Sequence, residues 1–339
     1  MGLTRFSCNL YFLFILFILS KKRNLCHFRQ ISDRKIFMKA MILAAGLGTR
    51  LRPLTDKKPK ALMPVANMPI IDRAIGYLKD HGVSRIIVNA HHHSRQILDH
   101  LQGGRPFGIE IETRVEPEIL GTGGGIKNTS DFWDDAPFIV MNSDILTDIN
   151  LRRAYEYHQK SGALATLVLH DCAPYNQIQT DDHHHITEIS TNQEPGRLAF
   201  TGIHILDPAI LSFIPDTGFS NIIDCYRKLI SSGEPVRGFL SEGHYWHDIG
   251  TVAGYTEANR ELLGLLQDSF LVGPGGRLDA SVRLEDWAIV GENARLESDV
   301  EIRRSILWEG VKVEKGVKII DSIATSFREI KQDLNGQIT

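Results

Sequence analysis

Cysteine is scarce in this chain of 339 residues: Cys8, Cys26, Cys172 and Cys225 are widely spaced and form no CxxC pair. That scarcity excludes a disulfide scaffold and a zinc ribbon and points to a reducing compartment. Long apolar runs are lacking as well. The longest, Leu10 to Leu19, stops at ten residues, short of the roughly 18–20 that span a bilayer. Positive charge is not in excess either. Lys and Arg total 38 against 41 Asp and Glu, a net charge of −3, so no basic field invites a nucleic acid. Seven basic residues and one acid, Asp33, fall within 1–37, which leaves the remainder at −9. An acidic body that bound phosphates would have to gather its cations locally or recruit a metal.

The apolar run Leu10–Leu19 is followed by Ser20-Lys-Lys-Arg23. A secretory signal carries its charge before the run and small residues after it. Met38-Lys-Ala-Met-Ile-Leu-Ala-Ala45 reads as a buried first strand that needs nothing before it. Residues 1–37 are therefore expected to be an over-extended start, with a weak membrane anchor as the alternative. A cytoplasmic protein without a membrane partner follows.

From Met38 to about Leu266, apolar strand-like runs alternate with amphipathic segments. Strands are predicted at Met38–Ala44, Arg85–Asn89, Phe138–Met141, Ala163–Leu169, Phe200–Ile205 and Val236–Leu240. Helical spacing is predicted at Ile70–Lys79, Ser94–Leu101 and Leu151–Ser161, with a closing helix over Thr251–Gln267. Such alternation argues for an α/β layer fold with a mostly parallel sheet. Beyond it the period changes. Val272, Leu278, Leu284, Val290, Leu296, Ile302 and Trp308 fall six residues apart, and Val282, Ala288, Ala294, Val300 and Ile306 keep the same spacing. The period slips by one to reach Val313 and Ile319. A period of six suits neither a helix face nor a strand, but it fits a solenoid of three short strands per coil. The predicted organisation is 38–267, then 271–325 as the solenoid, then a tail over 326–339.

The loop after the first strand reads Ala44-Ala-Gly-Leu-Gly-Thr-Arg-Leu-Arg-Pro-Leu-Thr55. Gly46 and Gly48 let backbone amides approach an anion. Arg50 and Arg52 add forked donors suited to phosphate oxygens. No Gly-Lys-Ser/Thr ends the loop, so it is not a Walker loop. Lys60 follows, between Pro59 and Pro64 in an otherwise apolar stretch, and is expected to be held in place.

These segments, with Pro59-Lys-Ala-Leu-Met-Pro-Val65 and Asn67-Met-Pro-Ile-Ile71, resemble the signature of the sugar-phosphate nucleotidyltransferases. The likeness covers about Met38 to Gln267, and the trailing six-residue repeat is similar to the left-handed β-helix that many members carry. The resemblance implies a Rossmann-like α/β domain followed by a short left-handed β-helix. It also implies nucleotide contacts from Ala45, Gly46, Gly48, Thr49 and Arg50, with Arg50 and Lys60 as the catalytic cations. Val115-Glu-Pro-Glu-Ile-Leu-Gly-Thr-Gly-Gly-Gly125 resembles the second glycine-rich loop of the family. Glu116 and Gly121 then face the nucleotide and Gly123 the sugar. The bland alternative is a flexible loop before a helix starting near Ile126. Phe200-Thr-Gly-Ile203 resembles the wall of the sugar pocket, with Thr201 and Gly202 as contacts.

Asp144 follows a strand at its carboxyl end, a position suited to holding Mg²⁺, with helix capping as the alternative. Asp248, in Trp246-His-Asp-Ile-Gly-Thr251, matches the family's second metal aspartate. One departure stands out. Glu194 occupies the place of the lysine that binds the sugar phosphate, and Arg197 is the nearby candidate to replace it. The clusters His91–His93 and His183–His185 read as a strand-to-helix loop and a hairpin tip, because three consecutive extended side chains cannot converge on one ion.

The implied reaction joins a sugar 1-phosphate to a nucleoside triphosphate, GTP or UTP, giving a nucleoside diphosphate sugar and pyrophosphate. The competing readings are a non-catalytic regulatory relative and a bifunctional acyltransferase. Homo-oligomers through the β-helix are expected.

Overall fold

The computed structural model describes residues 38–192 and 194–339; the expected over-extended start over 1–37 lies outside the described residues. The described chain divides into two compact units, 38–63 with 69–250, and Pro64–Met68 with Thr251–Thr339.

The larger unit is a three-layer α/β structure. Its elements, in order, are β1 (Met38–Leu43), α1 (Ile70–Asp80), β2 (Val83–Ala90), α2 (Ser94–Leu101), β3 (Glu110–Val115), α3 (Gly121–Lys127), β4 (Phe138–Asn142), β5 (Ile145–Thr147), α4 (Leu151–Ser161), β6 (Ala165–His170), β7 (Asn176–Thr180), β8 (Ile186–Ile189), β9 (Leu198–Leu206), α5 (Ile222–Ser231), β10 (Val236–Leu240) and β11 (Trp246–Asp248). The main sheet runs β8-β7-β9-β4-β1-β2-β3, and β6 pairs with both β9 and β10. Strands β4, β1, β2 and β3 are mutually parallel, whereas β9 runs against β4, β6 and β7. The expectation of a mostly parallel sheet thus holds for the half around β1, and β9 makes the whole sheet mixed.

Alternation along the central strands fixes the layers. Ala40, Ile42, Ile86, Val88, Ile139 and Met141 face one core, which the apolar sides of α1, α2 and α4 cover with Ile71, Ile75, Ile97, Leu151 and Tyr155. Met41, Ile87, Phe138 and Val140 face the other, covered by Ile126 of α3 and Ile222, Tyr226 and Leu229 of α5. Strands buried on both faces read as continuous apolar runs, which is why β1 and β4 stand out in the sequence. Helix α4 begins where the Asn150 side chain accepts from Arg153 N and stops at Gly162, whose φ of 64° is left-handed.

The second unit begins with α6 (Val252–Leu266), capped by the Thr251 side chain, which accepts from Gly254 N. Ten short strands follow as β12 (Phe270–Val272), β13 (Arg277–Leu278), β14 (Arg283–Val290), β15 (Arg295–Leu296), β16 (Glu301–Leu307), β17 (Lys312–Val313), β18 (Lys318–Ile320), β19 (Ile323–Ala324), β20 (Glu329–Ile330) and β21 (Leu334–Asn335). All their pairings are parallel, as the coils of a β-helix require. Leu284 lies level with Ile302, and Ile302 with Ile319, so the one-residue slip in the sequence is a coil shortened by one residue.

Two boundaries differ from the sequence expectation. The predicted tail over 326–339 is wound into the last coil: β20 and β21 pair with β17 and β18, and Leu334 is buried against Ile319. Helix α6 and the distant segment Pro64–Met68 belong with the β-helix rather than ending the α/β unit. Trp308 Nε1 donates to Tyr255 Oη at 2.9 Å, and Tyr255 Oη donates to Pro64 O at 2.6 Å. Ala66 N donates to Asn259 Oδ1 and Asn67 Nδ2 to Val290 O. No helix among the described residues is long and apolar enough to cross a membrane.

Candidate active site

Register brings the site together. Parallel pairing sets Leu43 of β1 level with Asn89 of β2 and Asn142 of β4, and Ala90 level with Val115 of β3. The segments that leave these strand ends therefore meet at one edge: the glycine loop after β1, Glu116 after β3 and Asp144 after β4. Because β2 and β4 flank β1 on opposite sides, this edge is the point where chain connectivity reverses, the usual place for a crevice. A cavity of about 340 Å³ lies there, lined among others by Ala45, Gly46, Arg50, Lys60, Glu116, Gly121 and Asp144.

Gly48 turns the loop with φ 64°, and its carbonyl accepts from Thr55 Oγ1 at 2.8 Å. A Cβ there would lie 2.9 Å from Thr55 Cγ2 and 3.4 Å from Lys60 Cβ, so glycine lets the lysine segment close on the loop. Thr49 is exposed on the turn and does not line the cavity. Lys60 is half-buried and forms an ion pair with Asp144 Oδ2, which accounts for its being held.

Asp248 arrives from the opposite side. Strand β11 pairs with β5 so that Asp248 lies level with Ile145, and Ile249 N donates to Asp144 O at 3.1 Å. Asp248 Oδ1 accepts from Gly250 N. Burial pushes the Asp248 carboxyl up from its ordinary range, and the charge of Asp144 pushes it further; Lys60, the Gly250 N–H and Arg50 act against them. Two adjacent carboxylates offering only oxygen atoms make a fitting partial shell for a hard divalent cation, with substrate oxygens and water completing it. Among the described residues no group of three or more His, Cys, Asp or Glu is gathered for a metal.

Asn89 and Asn142 went unassigned in the sequence. Asn89 Oδ1 accepts from Ala44 N at 2.8 Å and its Nδ2 donates to Glu116 Oε1 at 2.7 Å, so one buried amide ties the glycine loop to the second glycine segment. Glu116 also accepts from Leu120 N, and burial raises its carboxyl pKa. The signal for both asparagines was their place at the ends of apolar runs, which only register makes meaningful.

Four expectations need correction. The segment Gly121–Gly125 is helical, opening α3, rather than a loop before Ile126. Gly123 is buried inside that helix, and its N–H donates to Ser220 O at 2.8 Å, leaving no amide for a sugar. Thr201 is fully buried and its hydroxyl donates to Val168 O, while Gly202 gives room to Asn142 rather than lining the cavity itself. Arg197 is buried against Glu188 and Glu194, 2.8 Å from each, and those acids hold its guanidinium charge. It is not a free substitute for the missing lysine.

His91–His93 form the β2–α2 loop, with His91 Nδ1 2.8 Å from Glu116 O, and His183–His185 form the β7–β8 hairpin tip around Asp181.

A carboxylate pair, a lysine on one of its members and an arginine beside the other, all at the mouth of a glycine loop, have the chemistry that phosphate binding calls for, on a doubly wound fold. Comparison with known proteins agrees. The nucleotidyl transferase family model matches residues 39–264, and the chain belongs to that family. It is 31% identical to the UTP–glucose-1-phosphate uridylyltransferase of Synechocystis, over 84% of this chain and 77% of that protein. It is 25% identical to the mannose-1-phosphate guanylyltransferase of Mycobacterium tuberculosis, over 83% of this chain and 82% of the relative. The crystal structure of HddC from Yersinia pseudotuberculosis superposes with a TM-score of 0.59 at 26% identity, covering 66% of this chain and 99% of HddC. Members of this family work with a divalent metal.

Proposed function

We propose that this chain joins a sugar 1-phosphate to a nucleoside triphosphate, releasing pyrophosphate, in the manner of a mannose-1-phosphate guanylyltransferase using GTP. The observation that carries the reading is the meeting of Gly46, Arg50, Lys60, Asp144 and Asp248 at one strand-end edge. Uridylyl transfer from UTP is the second reading, favoured by the higher identity to the Synechocystis enzyme. Residues 38–250 then hold the chemistry, acting in the cytoplasm; the free thiols of Cys172 and Cys225 suit a reducing compartment.

An oxygen of the sugar phosphate forms a bond to the α-phosphorus, and the bridging bond to the β-phosphate breaks as pyrophosphate leaves. A phosphate monoester has a second pKa near ~6, so the attacking oxygen is already charged at neutral pH. No general base is needed from the protein. Its work is to bring two polyanions together and to stabilise spreading charge. The open backbone at Ala45 and Gly46 receives the triphosphate. Arg50, exposed at the mouth, grips the leaving pyrophosphate. Lys60, steered by Asp144, neutralises charge at the reacting phosphates. Asp144 and Asp248 would hold Mg²⁺, which when bound supplies Lewis-acid neutralisation of the triphosphate.

The test is pyrophosphate release by the full-length chain with Mg²⁺, each of the common nucleoside triphosphates being crossed with a panel of sugar 1-phosphates. Preference for GTP with mannose 1-phosphate is expected. Preference for UTP would move the assignment to the second reading. Silence from folded protein that still binds nucleotide would overturn catalysis altogether.

A further inference from the structure

The strand-end edge that holds the carboxylate pair has two flanks. In the sheet order β9-β4-β1-β2-β3, the glycine loop leaves β1 and Glu116 follows β3, both on one side of β4. Asp144 follows β4 itself, and β9 lies on the other side. There Ile203 is level with Met141, so Gly202 comes beside Asn142. Gly202 has φ 77°, and a Cβ on it would lie 2.6 Å from Asn142 Nδ2 and 3.1 Å from Asn142 Cγ. Glycine alone leaves room for that amide. Thr201 O, next along β9, accepts from Trp246 Nε1 at 2.9 Å, and the Tyr175 ring meets Trp246 edge-on with centroids 5.6 Å apart. Trp246 stands two residues before Asp248, so this flank adjoins the carboxylate pair. Asn142 is half-buried in the cavity wall, and its amide has no hydrogen-bond partner among the described residues. Amides held inside a protein are nearly always paired, so this one is free for the atoms of a ligand.

We propose that Asn142 determines sugar specificity by hydrogen-bonding a ring hydroxyl of the sugar 1-phosphate, an inference that rests on the nucleotidyl-transfer reading of the same site. Two substrates have to meet at the carboxylate pair, and the flanks differ in chemistry. The glycine loop, with Arg50 on it and Lys60 packed beside Gly48, suits the polyanionic triphosphate. The β9 flank presents an amide, an indole and a phenol, none of them charged at neutral pH, and suits an uncharged polyol ring. A carboxamide carries two N–H donors and one carbonyl acceptor, while a hydroxyl both donates and accepts. One amide can therefore serve a single hydroxyl or an adjacent pair. A phosphate oxygen only accepts, and it would leave the Asn142 carbonyl facing negative charge. The amide thus fits the ring of the second substrate better than its phosphate. Leu43 of β1, level with Asn142, and Ala44 after it separate the amide from the glycine loop, which keeps the two substrates on their own flanks.

The test uses the full-length chain with Mg²⁺ and the nucleotide and sugar 1-phosphate that the pyrophosphate-release panel prefers, GTP and mannose 1-phosphate being expected. The sugar phosphate is compared with analogues that each lack one ring hydroxyl. Asn142→Leu keeps the size of the side chain and removes its hydrogen bonding; Asn142→Ala removes both. The wild type is expected to lose about five- to tenfold in kcat/KM on the analogue that lacks the hydroxyl Asn142 meets, the worth of one neutral hydrogen bond. Both variants are expected to lose that factor on the parent sugar phosphate, chiefly in its KM, and to show no further loss on that one analogue. Penalties on the other analogues should persist. KM for the nucleotide should stay within about twofold, which misfolded protein could not deliver. A wild type indifferent to every analogue, or variants that keep its penalty on every analogue, overturns this role of Asn142 and leaves nucleotidyl transfer standing. A folded wild type that turns over no pair overturns both.

Discussion

Burial, and then the charge of Asp144 beside it, raises the cost of ionising Asp248, and Lys60 forms an ion pair with Asp144. Arg50 approaches from the other side: a Cβ at Gly250 would lie 2.6 Å from Asp248 Oδ1 and 2.8 Å from Arg50 Nη2, so glycine is needed for the two to meet there. Removing Lys60 takes away charge compensation at the resting carboxylates and at the reacting phosphates alike. Lys60→Ala is expected to lower kcat by about 10²–10³, the scale of losing one preorganised charge contact. The fold should be retained, as circular dichroism of the variant checks, although the loss of the Asp144 partner lowers its thermal midpoint. Near-normal turnover would remove Lys60 from its assigned role.

Helix α3 is four-fifths glycine over its first five residues, a composition that costs about 1 kcal/mol per position relative to alanine in an ordinary helix. Packing explains it. A Cβ on Gly121 would lie 2.5 Å from Ser220 O, and one on Gly125 would lie 2.8 Å from Asn89 Nδ2 and 2.9 Å from Glu116 Oε1. The backbone of the 218–220 segment and the Asn89–Glu116 pair occupy the space that side chains would fill. Gly121 also has φ 73°. Gly121→Ala should therefore destabilise the protein by about 2 kcal/mol or more, through strain and a clash with backbone. Gly264, inside α6 with nothing within 4 Å of its Cβ position, is the control. Gly264→Ala should stabilise by about 0.5–1 kcal/mol in urea unfolding. A stabilising Gly121→Ala would contradict the packing account. The sequence showed the glycines but not their purpose, since Ser220 is about a hundred residues away.

Over the whole molecule, buried histidines weaken the fold in acid: burial lowers the pKa of His81, His158 and His204 alike. His158 of α4 lies 2.9 Å from Thr166 Oγ1, and His204 of β9 contacts the Tyr226 hydroxyl. Burial lowers their pKa values to about 4 and about 3. The unfolded chain takes up these protons near pH 6.5 while the folded one does not, so stability falls as pH drops below that value. At pH 5 each of these two costs about 2 kcal/mol relative to pH 7. Denaturant midpoints measured from pH 7 to pH 5 should decline, and the decline should be smaller in His204→Gln. An unchanged slope in that variant would remove His204 as a cause.

Sequence by itself determined the strands buried on both faces, the amphipathic helices α1, α2 and α4, the six-residue solenoid period and the glycine, lysine and aspartate motifs. Those signals are local: burial on one or both faces of an element leaves a period that a single segment displays. Tertiary structure alone decided the rest, because it depends on which distant segments become neighbours. Pro64–Met68 joins the β-helix through Tyr255 and Asn259, and Arg197 is claimed by Glu188 and Glu194. Asn89 reaches both Ala44 and Glu116, and Gly202 makes room for the Asn142 amide. No single segment of the chain carries information about the register between strands, and register is what places each of these groups.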